Sequence, residues 1–431
     1  MLGCDAKAVH TMSTALWGTL ADVSEKDEAS KLCLILEDIP RSALESFVSD
    51  FAILQTQERL MQHLPELKRI SVSILETGPA LVMEATQRTP DELAEKQKRT
   101  SEKYDQTTCI ASLKSFIQRI VIQENACPYT KSVEIAATGL EAKGVQPGPV
   151  AYRFSDTADG ARTLAVFWDC VCELLSTPET TISTTMLSLP GIGPGTSPQS
   201  LERFSAVMEI VSRYLCLYRG DSSFGLVHFH PAYDRDQIHP VHRPAYGHLP
   251  PRSWLRPMLR RNGNTAEATS LTDADLALSD HQRRAPFTAI NILRATQLNA
   301  AAGPKSIVDL EVADGVFEKA SGILLYSRNA IALARIGKET LEAGLKADRA
   351  IFLQNGRSSV PIVSHQEPLA VEESKTTAAV AVAPPVAEDT ASATATYITK
   401  KEYQELLSEF AAVSNKLKEL ELKLIKLNVK D

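Results

Sequence analysis

The sequence predicts an α/β or α+β central domain, an N-terminal helical extension, and a C-terminal coiled-coil helix on a flexible linker. Three observations lead there. Between residues 109 and 345, short apolar runs stopped by proline or glycine alternate with segments of helical period. The stretch before it reads as mainly helical. After about residue 365 the composition changes, and near the end the apolar residues fall into a heptad register. The chain has 431 residues, which at roughly 150 per domain allows two or three units. The boundaries predicted are 1–108, 109–345, 346–396 and 397–431.

In the extension, Ser42 and Glu45 have capping-box spacing after Pro40. Apolar residues follow at Leu44, Phe47, Phe51, Leu54, Leu60, Met61 and Leu64 until Pro65. Thr89 and Glu92 repeat that spacing, with Pro90 at the first helical position. A helix is expected from Ile110 to Ile122, its apolar face formed by Leu113, Phe116, Ile117, Ile120 and Val121. It leads into Cys127-Pro128, and the proline disfavours helical geometry at Cys127. Strands are expected at Val133–Ala137, Thr184–Leu189 and Phe224–Phe229. Helices are expected from Pro198, over Ala289–Leu298 and over Ile323–Leu345. Gly191, Gly193 and Gly195, interrupted by Pro194, read as a turn rather than a phosphate cradle.

Residues 365–396, rich in Ala, Thr, Val and Glu with Pro384-Pro385, read as a linker. Beyond it, Tyr403, Leu406, Phe410, Val413, Leu417, Leu420, Leu424 and Leu427 step by three and four without a slip. With Leu406 at d, Lys416 falls at g and Glu421 at e, which suits a parallel pair. The expected partner of residues 399–429 is a second copy or another helix; a single amphipathic helix folding back is the alternative.

Lys and Arg total 46 against 53 Asp and Glu, a formal charge of −7. Bulk attraction for nucleic acid or acidic lipid is therefore absent, and neither is expected as a partner. No apolar run reaches the length of a membrane span. Seven cysteines, an odd number, and no secretory leader point to a reduced compartment. The expected location is cytoplasmic, with a plastid or other organelle left open.

The residues able to carry chemistry cluster in two places. His228, His230, His239, His242 and His248 lie close together. His228 and His230 share one face of a strand end. They would supply metal ligands if a metal were bound, but no His-Glu-x-x-His or Cys-x-x-Cys accompanies them, and solvated or hydrogen-bonded histidines are the plainer reading. Arginine replaces lysine entirely from Gly144 to Pro304. It suits bidentate contact with carboxylate or phosphate, or surface ion pairs. Cys127 is a candidate nucleophile with His230 as its base, or a structural thiol. The sequence assigns no cofactor.

Several short motifs, in order, resemble the family of uncharacterised bacterial and plastid-type proteins grouped as the domain of unknown function 1415. They are Arg119-Ile-Val-Ile-Gln-Glu-Asn125-Ala-Cys127-Pro-Tyr129, Thr184-Thr-Met-Leu-Ser-Leu-Pro190, Phe229-His230-Pro-Ala-Tyr233, Arg284-Ala-Pro-Phe287 and Tyr326-Ser-Arg328-Asn329. The resemblance spans roughly residues 109–345. It departs at Asn291, where the family would place a histidine, and in an expanded stretch from Tyr233 to Arg284. It implies a domain and a pocket, with no assigned reaction. In that pocket Arg284 and Arg328, with Asn125, would hold a small anion, while Cys127, His230 and Tyr233 would be the catalytic candidates. Two expectations follow. One is an interaction or scaffold protein assembled through its coiled coil. The other is an enzyme or sensor for a small anionic ligand.

Overall fold

The computed structural model describes residues 6–353, except 37–38, 77, 101–102, 194, 218–222, 238–248 and 303–306. The linker beyond 353 and the heptad residues from Tyr403 to Leu427 lie outside the described residues.

The N-terminal part consists of helix α1 (Ala6–Glu25), strand β1 (Ser30–Ile35), helices α2 (Arg41–Gln55), α3 (Glu58–His63) and α4 (Pro65–Lys68), strands β2 (Ile70–Ile74) and β3 (Ala80–Ala85), and helix α5 (Pro90–Thr100). The helices match the expectation, but the three strands correct it. They form an antiparallel sheet in the order β1-β3-β2. In β1, Leu32 and Leu34 alternate with exposed Lys31, Cys33 and Ile35. That period of two is too short to stand out beside the helical signals around it. The Thr89–Glu92 box forms as expected: Thr89 N donates to Glu92 Oε2 at 2.8 Å and Glu92 N to Thr89 Oγ1 at 3.3 Å. At α2 Pro40 flanks the first turn instead, and no side chain caps it.

The central part begins with α6 (Gln106–Phe116), which widens into a π-helix over Ile117–Gln123. There follow β4 (Ile135–Ala136), β5 (Gly148–Phe154), α7 (Gly160–Ser176), β6 (Thr184–Ser188), α8 (Pro198–Leu217) and β7 (Phe224–Phe229). Next are three short helices, α9 (Leu255–Arg261), α10 (Thr265–Ser270) and α11 (Asp273–Ala277). Then come β8 (Ala289–Arg294), α12 (Ala295–Ala302), the antiparallel pair β9 (Val308–Ala313) and β10 (Val316–Ala320), α13 (Ile323–Ile336) and α14 (Lys338–Leu353).

Five strands form a mixed sheet in the order β4-β5-β6-β8-β7, with β5 and β6 parallel and β8 antiparallel to both of its neighbours. The expected helix over Ala289–Leu298 is thus half strand. Ile290 and Ile292 alternate onto one buried face, and pairing with β6 and β7 overrides helix propensity. The expected helix over Ile323–Leu345 is two helices, broken at Gly337 (φ 83°), and the second runs on to Leu353 rather than yielding to a linker at 346.

One face of the sheet, with Leu187, Ile290, Ile292 and Leu226, packs under α7 and α8. The same core takes in Trp17, Phe47, Phe51 and Leu67 from the N-terminal elements. Trp17 meets Tyr214 edge-on at 5.3 Å, and Phe47 lies 5.8 Å from the same ring. The core is therefore continuous across residue 108. The opposite face, with Met186, Phe229 and Ala289, is covered by Leu113, Phe116, Ile120, Leu333, Leu341 and Phe352.

Candidate functional site

The widened helix end sets the position of Cys127. The π-helical turns close with bonds from Ala126 N to Ile120 O and from Cys127 N to Val121 O, both 3.4 Å. Asn125 takes a left-handed backbone (φ 53°), a conformation Asn tolerates better than most residues. Arg328 Nη2 donates to Asn125 O. Asn329 Nδ2 donates to Ala126 O at 2.9 Å and to Gln282 Oε1 at 3.0 Å. The start of α13 thus clamps the Cys127 turn onto the segment before β8. Cys127 is half-buried, and burial pushes the nearby Arg283 guanidinium below its usual range. The Arg283 guanidinium lies 5.3 Å over the Phe229 ring.

The histidine at the end of β7 is fully buried and stacks on Phe204 at 5.8 Å. Ala232 N donates to His230 Nδ1 at 3.0 Å. A nitrogen that accepts carries no proton, so the neutral ring is protonated at Nε2. That N–H faces Gly193 O and Ser200 Oγ, each at 3.1 Å, and Ser200 Oγ donates to Gly195 O at 2.9 Å. Burial pushes His230 down to about 3, against the Gly193 carbonyl. A base must accept at the nitrogen facing the nucleophile. Here that nitrogen is a donor, so the Ser200–His230 contact is a structural bond.

Both ring nitrogens of His230 are occupied by backbone groups and Ser200. Tyr233 is also buried, and that burial pushes its hydroxyl up to about 12. Arg328 spends its Nη2 on the Asn125 and Asn329 side of the turn. The motif residues do gather around residues 280–286: Arg284 Nε donates to Tyr233 O at 3.0 Å and His230 N to Arg283 O at 3.1 Å. They gather as a network of structural bonds.

Arg284 reaches a concavity. A cleft of about 310 Å³ is lined by Thr196, Pro198, Leu201, Pro231, Ala232, Asp234, Gln237 and Arg284. Arg284 Nη1 bonds His281 Nε2 at 3.2 Å. His281 is buried; burial, with the charges of Arg284 and Arg119, pushes it down to about 3, so it accepts as a neutral ring. Two fixed acceptors therefore hold this guanidinium at the cleft wall.

The glycine loop before α8 has packing reasons of its own. A Cβ at Gly191 would lie 2.2 Å from Asp156 O, and one at Gly193 2.5 Å from Ser200 O. His228 is buried against Phe204 and Tyr233, while His239, His242 and His248 lie outside the described residues. Among the described residues, no group of three or more His, Cys, Asp or Glu could hold a metal, and no helix is long and apolar enough to cross a membrane. Cys109 and Cys170 are buried thiols, each pushed up to about 12 by that burial.

Sequence reasoning missed Arg283 and Gln282, although they adjoin the motif arginine. It also missed two buried ionic clusters. Arg235 Nε bonds Asp280 Oδ1 at 2.5 Å, and Arg252 Nη2 bonds Asp280 Oδ2 at 2.8 Å. Glu66 Oε1 accepts from Gly160 N at 2.6 Å and from Arg203 Nη2 at 2.7 Å, next to Asp159, the cap of α7. No spacing in the sequence marks these partners, since Glu66 and Arg203 are brought together only by the fold.

These features describe an α/β protein with a mixed five-stranded sheet, its motif side chains tied into the segment ahead of the central antiparallel strand. Residues 108–258 match the model of the family described as protein of unknown function (DUF1415), and this part of the chain is DUF1415-like. The match ends before Arg284 and Tyr326, so those two motifs lie beyond it. No curated protein and no solved structure matches the chain.

Proposed function

We propose that the chain is an interaction protein that self-associates through a parallel coiled coil formed by residues 399–429. The observation that carries this reading is the unbroken a/d register from Tyr403 to Leu427, with Lys416 and Glu421 placed for an interchain ion pair. The wiring of His230 into structural bonds adds support, because it takes away an acid–base group that an enzyme reading would use. The test is the solution mass of the full-length chain by light scattering at micromolar concentration. A dimer is expected, with Leu417→Glu plus Leu424→Glu giving a monomer of unchanged thermal stability. A monomeric wild type, or a double variant that stays dimeric, overturns the reading.

A second reading is favoured by the cleft at Arg284. A guanidinium held rigid by Tyr233 O and His281 is pre-organised for a small carboxylate or phosphate. Catalysis is no part of this reading; the cleft binds, and the ligand would report to whatever the coiled coil assembles.

A further inference from the structure

The cleft holds two opposite charges. Arg284 and Asp234 line the same concavity, with Pro198, Leu201, Pro231 and Ala232 as apolar wall. Asp234 Oδ1 is engaged, accepting from Arg252 Nη2 and from Asp236 N, both at 3.0 Å. The bonds of Asp234 fall on Oδ1, and those of Arg284 on Nε and Nη1. Arg252 is itself held by Asp280 and Asp236, so it anchors Asp234 rather than neutralising it alone.

A simple anion entering here meets Arg284 favourably and Asp234 unfavourably, and a simple cation meets the reverse. A ligand with both charges on adjacent atoms satisfies both, and the wall would take a small apolar substituent. We propose that this cleft binds an α-amino-acid-like zwitterion: carboxylate on Arg284, ammonium on Asp234, and an apolar side chain against Pro198 and Leu201. The volume of about 310 Å³ lies at the small end of ligand pockets, which run from ~300 to ~1,000 Å³. The proposal rests on the small-anion reading of the cleft and narrows its ligand class.

Three matched probes separate the two ideas on the wild-type, full-length chain by titration calorimetry. L-Leucine carries both charges, 4-methylpentanoate lacks the amine, and 3-methylbutylamine lacks the carboxylate. Leucine is expected to bind at least about tenfold more tightly than either truncated probe, the loss typical of one charged hydrogen bond. If 4-methylpentanoate binds as tightly as leucine, the anion reading stands and the zwitterion is overturned. If none of the three binds at millimolar concentration, both fall. In Asp234→Asn, leucine is expected to weaken about tenfold to the level of 4-methylpentanoate, whose own binding holds or tightens. Undiminished leucine binding by that variant overturns the proposal. The three-probe series on the wild type remains decisive if the variant does not fold.

Discussion

Two buried carboxylate clusters differ in the partners that each carboxylate meets. Around Asp280, one carboxylate meets two guanidiniums: Arg235 takes one oxygen and Arg252 the other, while Arg235 also reaches Ser279. Around Asp159, two carboxylates compete. Burial opposes the ionisation of Glu66, but the charges of Arg203 and Arg99 outweigh it and hold Glu66 below the usual carboxylate range. Asp159 is left with the consequence: burial first, and the Glu66 charge second, push it up to about 6. The lesson is that two carboxylates buried side by side, Glu66 and Asp159, can be pushed in opposite directions. What decides is the partner at each carboxylate: Glu66 accepts from the Arg203 guanidinium, whereas Asp159 accepts from the Ser24 hydroxyl and the Arg162 backbone N–H.

The largest effect is expected at Asp280. Asp280→Ala strands the buried Arg235 guanidinium, while Arg252 keeps Asp234 and Asp236, and should cost about 3–5 kcal/mol in urea denaturation. A loss under about 1 kcal/mol would mean that water already reaches Arg235. Next is the crowded cluster, where the sign matters. A carboxyl raised in the fold contributes fully below the unfolded value of about pH 4, and that contribution is lost as pH rises through about 6. Asp159→Asn keeps a good helix cap and removes the charge. Its stability relative to wild type should therefore improve by about 2 kcal/mol between pH 4 and pH 7.5. Parallel pH profiles for the two proteins would show that Asp159 titrates normally. The smallest effect is at the surface. Lys31 pairs with Glu84 across β1 and β3 with both side chains largely in water, and Lys31→Ala should change stability by less than about 0.5 kcal/mol.

How much of this was legible depended on whether the signal was local. The helix from Pro198, the Thr89–Glu92 box, β6 and β7 follow from periodicity and caps within a few residues. The strand at Ala289–Arg294 was misjudged because its identity comes from two neighbours distant in the sequence. The N-terminal sheet was missed because β1 and β2 expose every second residue and bury little. At the site, Arg284 was found by its motif and does line a cleft. His230 was found too, but its role turned on a backbone N–H from Ala232, which no reading of residue types supplies.

The strand order has a practical consequence for anyone handling a piece of this protein. The family match covers residues 108–258, yet β8, at 289–294, is the strand that joins β6 to β7. A fragment cut at the match boundaries would carry β7 with no ladder partner and would leave the undersides of α7 and α8 bare where Trp17, Phe47 and Phe51 belong. The stretch that kinship makes visible is therefore shorter than the stretch that folding requires. Expression boundaries should follow the hydrogen-bonded sheet and its cover, from α1 through α14.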